Sequence, residues 1–83
     1  MNSFMNALYQ DGVGKTVTGE YIGEKFIGTI TDVRCTYGGG LNVYVDLETP
    51  IVIHRHARNS LVLDGAELFE GSSKVAYNLH VYF

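Results

Sequence analysis

Cysteine, proline and tryptophan are scarce or absent in this chain of 83 residues. It has one cysteine (Cys35), one proline (Pro50) and no tryptophan. A single cysteine cannot form an internal disulfide, whereas small domains that mature in oxidising compartments usually depend on several. The cysteine content therefore predicts a cytoplasmic protein.

Export and membrane-insertion signals are also missing from the sequence. Residues 1–6 contain neither a basic region nor the apolar stretch of a signal peptide. No apolar run reaches the ~18–20 residues that a membrane-spanning helix needs. We therefore expect a protein that is neither secreted nor inserted in a membrane.

Positive charge is in short supply as well. Six lysines and arginines stand against nine aspartates and glutamates, which gives a formal net charge of -3. Proteins that coat nucleic acid by bulk electrostatics are usually basic. The composition argues against that class but leaves room for a local basic patch.

Glycine, by contrast, is abundant, and it separates segments that alternate between apolar and polar residues. Between Leu41 and Leu47 every second residue is apolar, as in a strand with one buried face. The three glycines that follow Tyr37 can supply the positive φ angles of a tight reversal. This pattern predicts an antiparallel hairpin around residues 38–40.

The same reading along the chain predicts five or six short strands after a short N-terminal helix capped by Ser3. Gly28 suggests a bulge or bend within its strand, and residues 48–50 suggest a turn. The predicted strands are 16–22, 25–36, 41–47, 51–58, 61–63 and 75–83.

These elements predict a mainly all-β fold, a small antiparallel barrel formed by a single domain over residues 1–83. Residues 1–13 would form the helix and its cap, and residues 15–83 the barrel strands. The pattern of strand, glycine and strand across residues 16–58 resembles the SH3-like small barrels, with the OB-like barrels second. The resemblance implies a fold only, because no functional motif accompanies it.

The most unusual chemistry lies in residues 53–58, which read Ile-His-Arg-His-Ala-Arg. If this segment is one strand, His54, His56 and Arg58 share a face and Arg55 lies opposite. Two histidines at this spacing could chelate a metal, with His80 or Cys35 as a third ligand. The glutamate expected shortly afterwards in cupin-like sites is absent, so the metal site is the weaker interpretation and no cofactor is expected.

The three arginines of the chain all lie between residues 34 and 58, which favours a binding surface. The planar guanidinium suits carboxylates or phosphates because it donates two parallel hydrogen bonds. Tyrosines are common anchors of protein interfaces. The candidate partner-binding residues are Arg34, Tyr37, Tyr44, Arg55, His56, Arg58 and Tyr82.

The first functional hypothesis is therefore a non-catalytic protein-interaction module that binds a larger protein with an acidic surface. In size and lack of signals the chain resembles accessory or inhibitor proteins of phages and mobile elements. Ten aromatic residues also favour a homodimer. The alternative is a barrel that binds nucleic acid or a nucleotide through Arg34, Arg55 and Arg58, with tyrosines stacking on bases.

Catalytic signals are weak. Residues 12–16 end in Gly-Lys-Thr, but the glycine that a phosphate-binding loop requires earlier is replaced by Tyr9. Asp32 and Asp46 could face each other across the central hairpin, and Cys35 is expected to be a buried core residue. We therefore expect no catalytic residues and no enzymatic activity.

Overall fold

The computed structural model describes residues 2–83, which form two helices and five strands. In chain order they are α1 (Ser3–Asp11), β1 (Thr16–Tyr21), β2 (Glu24–Cys35), β3 (Leu41–Ile53), β4 (His56–Asp64), α2 (Gly65–Glu70) and β5 (Ala76–Tyr82). Strands make up 57% of the chain and helices 18%, which confirms the prediction of a mainly β protein with an N-terminal helix.

The five strands form one antiparallel sheet in the order β4-β3-β2-β1-β5. Hairpins join β1 to β2, β2 to β3 and β3 to β4. The chain then passes through α2, and β5 pairs with β1. β4 and β5 are the two edges, and the sheet is not closed. The structure thus confirms an antiparallel five-strand sheet without showing a closed barrel.

One face of this sheet, covered by the helices, forms the core. Val43 pairs with Leu63 and Val45 pairs with Leu61, and all four side chains are buried. α1 contributes Leu8, and α2 contributes Leu68. Burying a side chain of this size stabilises the fold by about 1.5–3 kcal/mol. No polar or charged residue among residues 2–83 is buried, so the core is held together by apolar contacts.

α1 begins one residue earlier than the predicted cap implies. The side-chain oxygen of Asn2 accepts a hydrogen bond from the backbone N–H of Met5 at 2.8 Å, and Ser3 is already helical. The prediction of Ser3 as the cap is therefore wrong. Asn satisfies the free N–H groups of a first turn as well as serine does.

α2 is absent from the sequence prediction, although its capping signals are readable. Asp64 accepts a hydrogen bond from the N–H of Ala66 at 2.8 Å, and Glu67 accepts one from the N–H of Asp64 at 3.2 Å. This reciprocal capping box starts the helix, and Gly71 ends it with φ of 83°. The helix replaces the predicted turn after the strand at 61–63.

β3 is nearly twice as long as predicted. The expected turn at residues 48–50 is wrong, because the chain passes through an irregular stretch between Asp46 and Ile51 and continues to pair with β4. Thirteen residues at a rise of about 3.3 Å would span roughly 40 Å if straight. The longest dimension of the molecule is 36 Å. A straight β3 would therefore run the full length of the molecule, and the irregular stretch between Asp46 and Ile51 is where it can bend.

Gly28 has a different role from the predicted bulge. The register shift of β2 against β3 falls between Ile30 and Asp32, not at Gly28. A Cβ atom at Gly28 would lie 2.4 Å from Cγ1 of Val45 and 2.6 Å from the carbonyl oxygen of Asp46. The missing side chain therefore lets β3 approach β2 closely.

β5 departs from the clean alternation predicted for residues 75–83. Asn78 has φ of 55°, and the pairing with β1 shifts register beside it. As a result Ala76 is buried on the same face as Leu79 and Val81. Asparagine tolerates this left-handed conformation better than most residues.

We expect Gly28→Ala to destabilise the protein by about 2 kcal/mol, because the new methyl group overlaps Val45 and the backbone of Asp46. For a domain of this size that corresponds to a fall in Tm of roughly 10 °C in a thermal melt. Gly40→Ala is the matched control, since its methyl group would meet only the hydroxyl of Thr36. Equal melting temperatures for the two variants would contradict the close approach at Gly28.

Candidate functional site

The hairpin between β3 and β4 turns through only two residues, His54 and Arg55. Ile53 pairs with His56 across the turn, and φ is 49° at His54 and 67° at Arg55. Two-residue turns with both φ angles positive normally contain Asn-Gly, because other side chains are strained there. The prediction of one continuous strand over residues 51–58 is therefore wrong. The histidines do not share a strand face.

This turn stores backbone strain. A residue other than glycine in the left-handed region costs on the order of 1–3 kcal/mol, and such residues cluster at binding and catalytic sites. Neither His54 nor Arg55 makes a hydrogen bond through its side chain that would offset the cost within the described part of the chain. The strain therefore makes this turn a candidate binding site.

The turn also concentrates positive charge at the surface. Residues 54–60 are all exposed. Within residues 2–83 the one salt bridge joins Arg34 to Asp32, so Arg55 and Arg58 have no carboxylate partner. His54, Arg55, His56 and Arg58 together form what we call the cationic tip.

The residues of β3 next to the cationic tip are buried. Ile51 and Ile53 precede it on β3 and are only 6% and 8% exposed, and Arg58 lies directly opposite Ile51. A two-residue turn between paired strands also leaves little freedom to the backbone. The backbone that carries the arginines is therefore held in place, which reduces the conformational entropy that the backbone loses when a partner binds.

Arg34 lies apart from the cationic tip and is already neutralised. Its Nε atom donates a hydrogen bond to Oδ2 of Asp32 at 2.7 Å, and its guanidinium carbon lies 5.1 Å from the ring centroid of Tyr44. The hydrogen bond to Asp32 is the main cause that raises the pKa of Arg34, and the charges of Asp32 and Tyr44 add to it. Arg34 pairs with Asn42 near the start of β3, whereas the tip follows its end.

Tyr37 and Tyr82 lie on two further surfaces. Tyr37 is fully exposed in the loop between β2 and β3, where Gly38 and Gly39 have the predicted positive φ angles. Tyr82 lies on β5, with its ring 4.3 Å from that of His80. β1 and β2 lie between β5 and β3 in the sheet order, but Tyr82 lines a groove together with Ile51 and Val52 of β3. The structure thus brings Arg55, His56 and Arg58 together and places Tyr44 with Arg34, whereas Tyr37 lies in the loop after β2 and Tyr82 lies on the groove.

The residues considered for chemistry do not assemble. Asp32 lies opposite Tyr44 and Asp46 lies opposite Thr29, so the predicted facing carboxylates are wrong. Cys35 is exposed at the end of β2, contrary to the expected burial. No three histidine, cysteine, aspartate or glutamate side chains in residues 2–83 lie close enough to hold a metal ion.

A groove opens beside the base of the hairpin and was not predicted. The ladder between β2 and β3 ends at the pair of Gly28 with Leu47, after which β2 pairs only with β1 and β3 only with β4. The gap between them has a volume of about 930 Å³. The sequence could not reveal it, because it exists only where two neighbouring strands diverge.

The groove combines an apolar lining with negative charge. Phe26 and Ile51 contribute buried apolar surface, and the carboxylates of Glu20, Glu24 and Glu48 stand against the single ammonium of Lys25. Glu20 is held in place by a hydrogen bond from the side-chain amide of Asn78 at 2.9 Å. The molecule therefore carries an acidic groove lined in part by the end of β3, and a cationic tip that follows directly after that strand.

Comparison with protein-family models, with curated protein sequences and with solved structures finds no match to this chain. Within residues 2–83, neither helix has the length and apolar character needed to cross a membrane.

Replacing the turn by His54→Asn together with Arg55→Gly should stabilise the protein by about 1 kcal/mol. The strain at the two positive φ angles is relieved, and the greater flexibility of glycine in the unfolded chain offsets part of the gain. A thermal melt should show an increase in Tm of several degrees. Ala57→Ser, at an exposed position on the same hairpin, serves as the control. A lower Tm for the double variant would show that the turn is not strained.

Proposed function

We propose that this protein is a non-catalytic interaction module whose cationic tip binds an acidic surface of a larger protein. The observation that carries the proposal is the pair of exposed arginines, Arg55 in the strained turn and Arg58 on β4, which have no carboxylate partner within residues 2–83. A fold that keeps two unpaired charges on a strained loop gains nothing in its own stability from them.

The chemistry of the tip suits carboxylates. Each guanidinium can donate two parallel hydrogen bonds to one carboxylate, and a charge-assisted hydrogen bond contributes about 1.5–3 kcal/mol. His54 and His56 add hydrogen-bond donors at their ring nitrogens. We therefore centre the proposed contact on Arg55, His56 and Arg58. Arg34, Tyr37 and Tyr44 lie towards the start of β3, and Tyr82 lines the groove.

The finer description of the scaffold belongs to this proposal. The strand order, with β5 returning beside β1 after a short helix, supports an SH3-like small barrel, with an OB-like barrel second. On such a scaffold the protein would act sterically in the cytoplasm, as an accessory or inhibitor protein that occupies part of its partner's surface.

Nucleic-acid binding stays the second hypothesis, because the same unpaired arginines also suit phosphates. Arg34 supports it less than expected, since Asp32 already takes up its charge. Binding through phosphates should weaken steeply as salt rises and should disappear after nuclease treatment. Those two properties separate the hypotheses.

We expect Arg55→Ala with Arg58→Ala to reduce capture of the partner at least about tenfold in a nuclease-treated pull-down from host lysate, quantified by mass spectrometry. Arg34→Ala is the matched control and should capture the partner as wild type does, because Arg34 is paired with Asp32. If Arg34→Ala abolished capture while the double variant retained it, the tip would not be the binding site. Capture that required intact nucleic acid would favour the second hypothesis.

A further inference from the structure

The acidic groove and the cationic tip have complementary charges, and the end of β3 connects them. Glu48 and Val52 line the groove, and His54 and Arg55 follow immediately at the turn. The groove has three carboxylates against one ammonium, and the tip has two guanidiniums with no acid between residues 54 and 58. The groove and the tip therefore carry opposite charges.

The arginines of the tip do not form ion pairs with the carboxylates of the groove in the same molecule. The tip is held away by the paired strands of the hairpin, and Arg55 and Arg58 reach no carboxylate within residues 2–83. The charges can therefore meet only between two molecules. Surfaces that bind in this way are typically complementary in charge, which speeds encounter and fixes orientation.

The groove also has the size and the apolar surface for such a contact. Its volume of about 930 Å³ lies at the upper end of the ~300–1,000 Å³ typical of pockets that enclose a small ligand, enough for the side chains of a two-residue turn. Ile27, Val52 and Tyr82 line it and are each about half exposed. A second molecule would cover this apolar surface, which adds a contribution that salt does not screen.

We infer that the protein associates with itself, the cationic tip of one copy docking into the acidic groove of a second copy. Because the end of β3 lines the groove and the tip follows directly at the turn, two copies related by a two-fold axis can exchange tips reciprocally. The contact does not depend on the proposed acidic partner. A partner that binds the tip would compete with the second copy.

Sedimentation equilibrium on purified wild-type and variant proteins tests the inference. Wild type should associate at low salt, and the association should weaken at about 0.5 M salt. Arg55→Glu alone and Glu48→Lys alone should each raise the dissociation constant at least about tenfold, because each brings like charges together. Both residues are exposed, so neither change should disturb the fold, and circular dichroism checks this.

The decisive sample mixes the two variants. The reversed tip of Arg55→Glu meets the reversed groove of Glu48→Lys, so the mixture should form a heterodimer that neither variant forms alone. Lys74→Glu and Glu70→Lys are matched controls, since each reverses one exposed charge outside the tip and the groove. Both controls should associate as wild type does.

Three results would overturn the inference: a wild-type protein that stays monomeric at all concentrations, association that both charge reversals leave unchanged, or a mixture that fails to associate. The groove variant also separates this contact from the proposed function. Glu48→Lys should lose self-association and still capture the acidic partner. A wild-type protein that self-associates but captures no acidic partner would reject only the proposed function.

Discussion

The close contact between β2 and β3 at Gly28 is the constraint on which the rest of the structure depends. Up to this point the two strands are paired, with one register shift between Ile30 and Asp32, and the absent side chain leaves room for Val45 and the carbonyl of Asp46. Immediately beyond it the ladder ends, and β3 turns away with β4. The sheet is thus tightest directly beside the place where it divides.

Two surfaces of opposite charge follow from this division. On one side, the gap between the separated strands becomes the acidic groove. On the other, β3 and β4 continue as a two-stranded hairpin that ends in the cationic tip, with Ile51 and Ile53 packed beneath it. A sheet in which β2 stayed paired with β3 to its end would have no groove beside the tip, so the division of the sheet places the two charged surfaces next to each other.

The regular parts of this fold were readable from sequence, and the irregular parts were not. The alternation of Leu41, Val43 and Val45 predicted the buried face of β3, because a strand repeats every two residues. The capping pattern of Asp64 and Glu67 also indicates the start of α2, since an N-cap aspartate followed three residues later by glutamate is typical of a helix N-terminus. The turn at residues 54–55 carries no such signal, since neither residue is a turn former. There the strand pairing imposes a conformation that the local sequence disfavours. A prediction from the alternation of residues alone therefore continues the strand through the turn and places both histidines on one face.

The exposure of Cys35 makes the protein convenient for chemical labelling. It is the one thiol in the sequence and lies at the end of β2, paired with Leu41 at the start of β3, whereas the hairpin turn follows the end of that strand. A maleimide dye would therefore attach to a single defined site, distant along the sheet from both charged surfaces. Fluorescence from that position can follow binding to either surface without an engineered cysteine or any change to the residues under study.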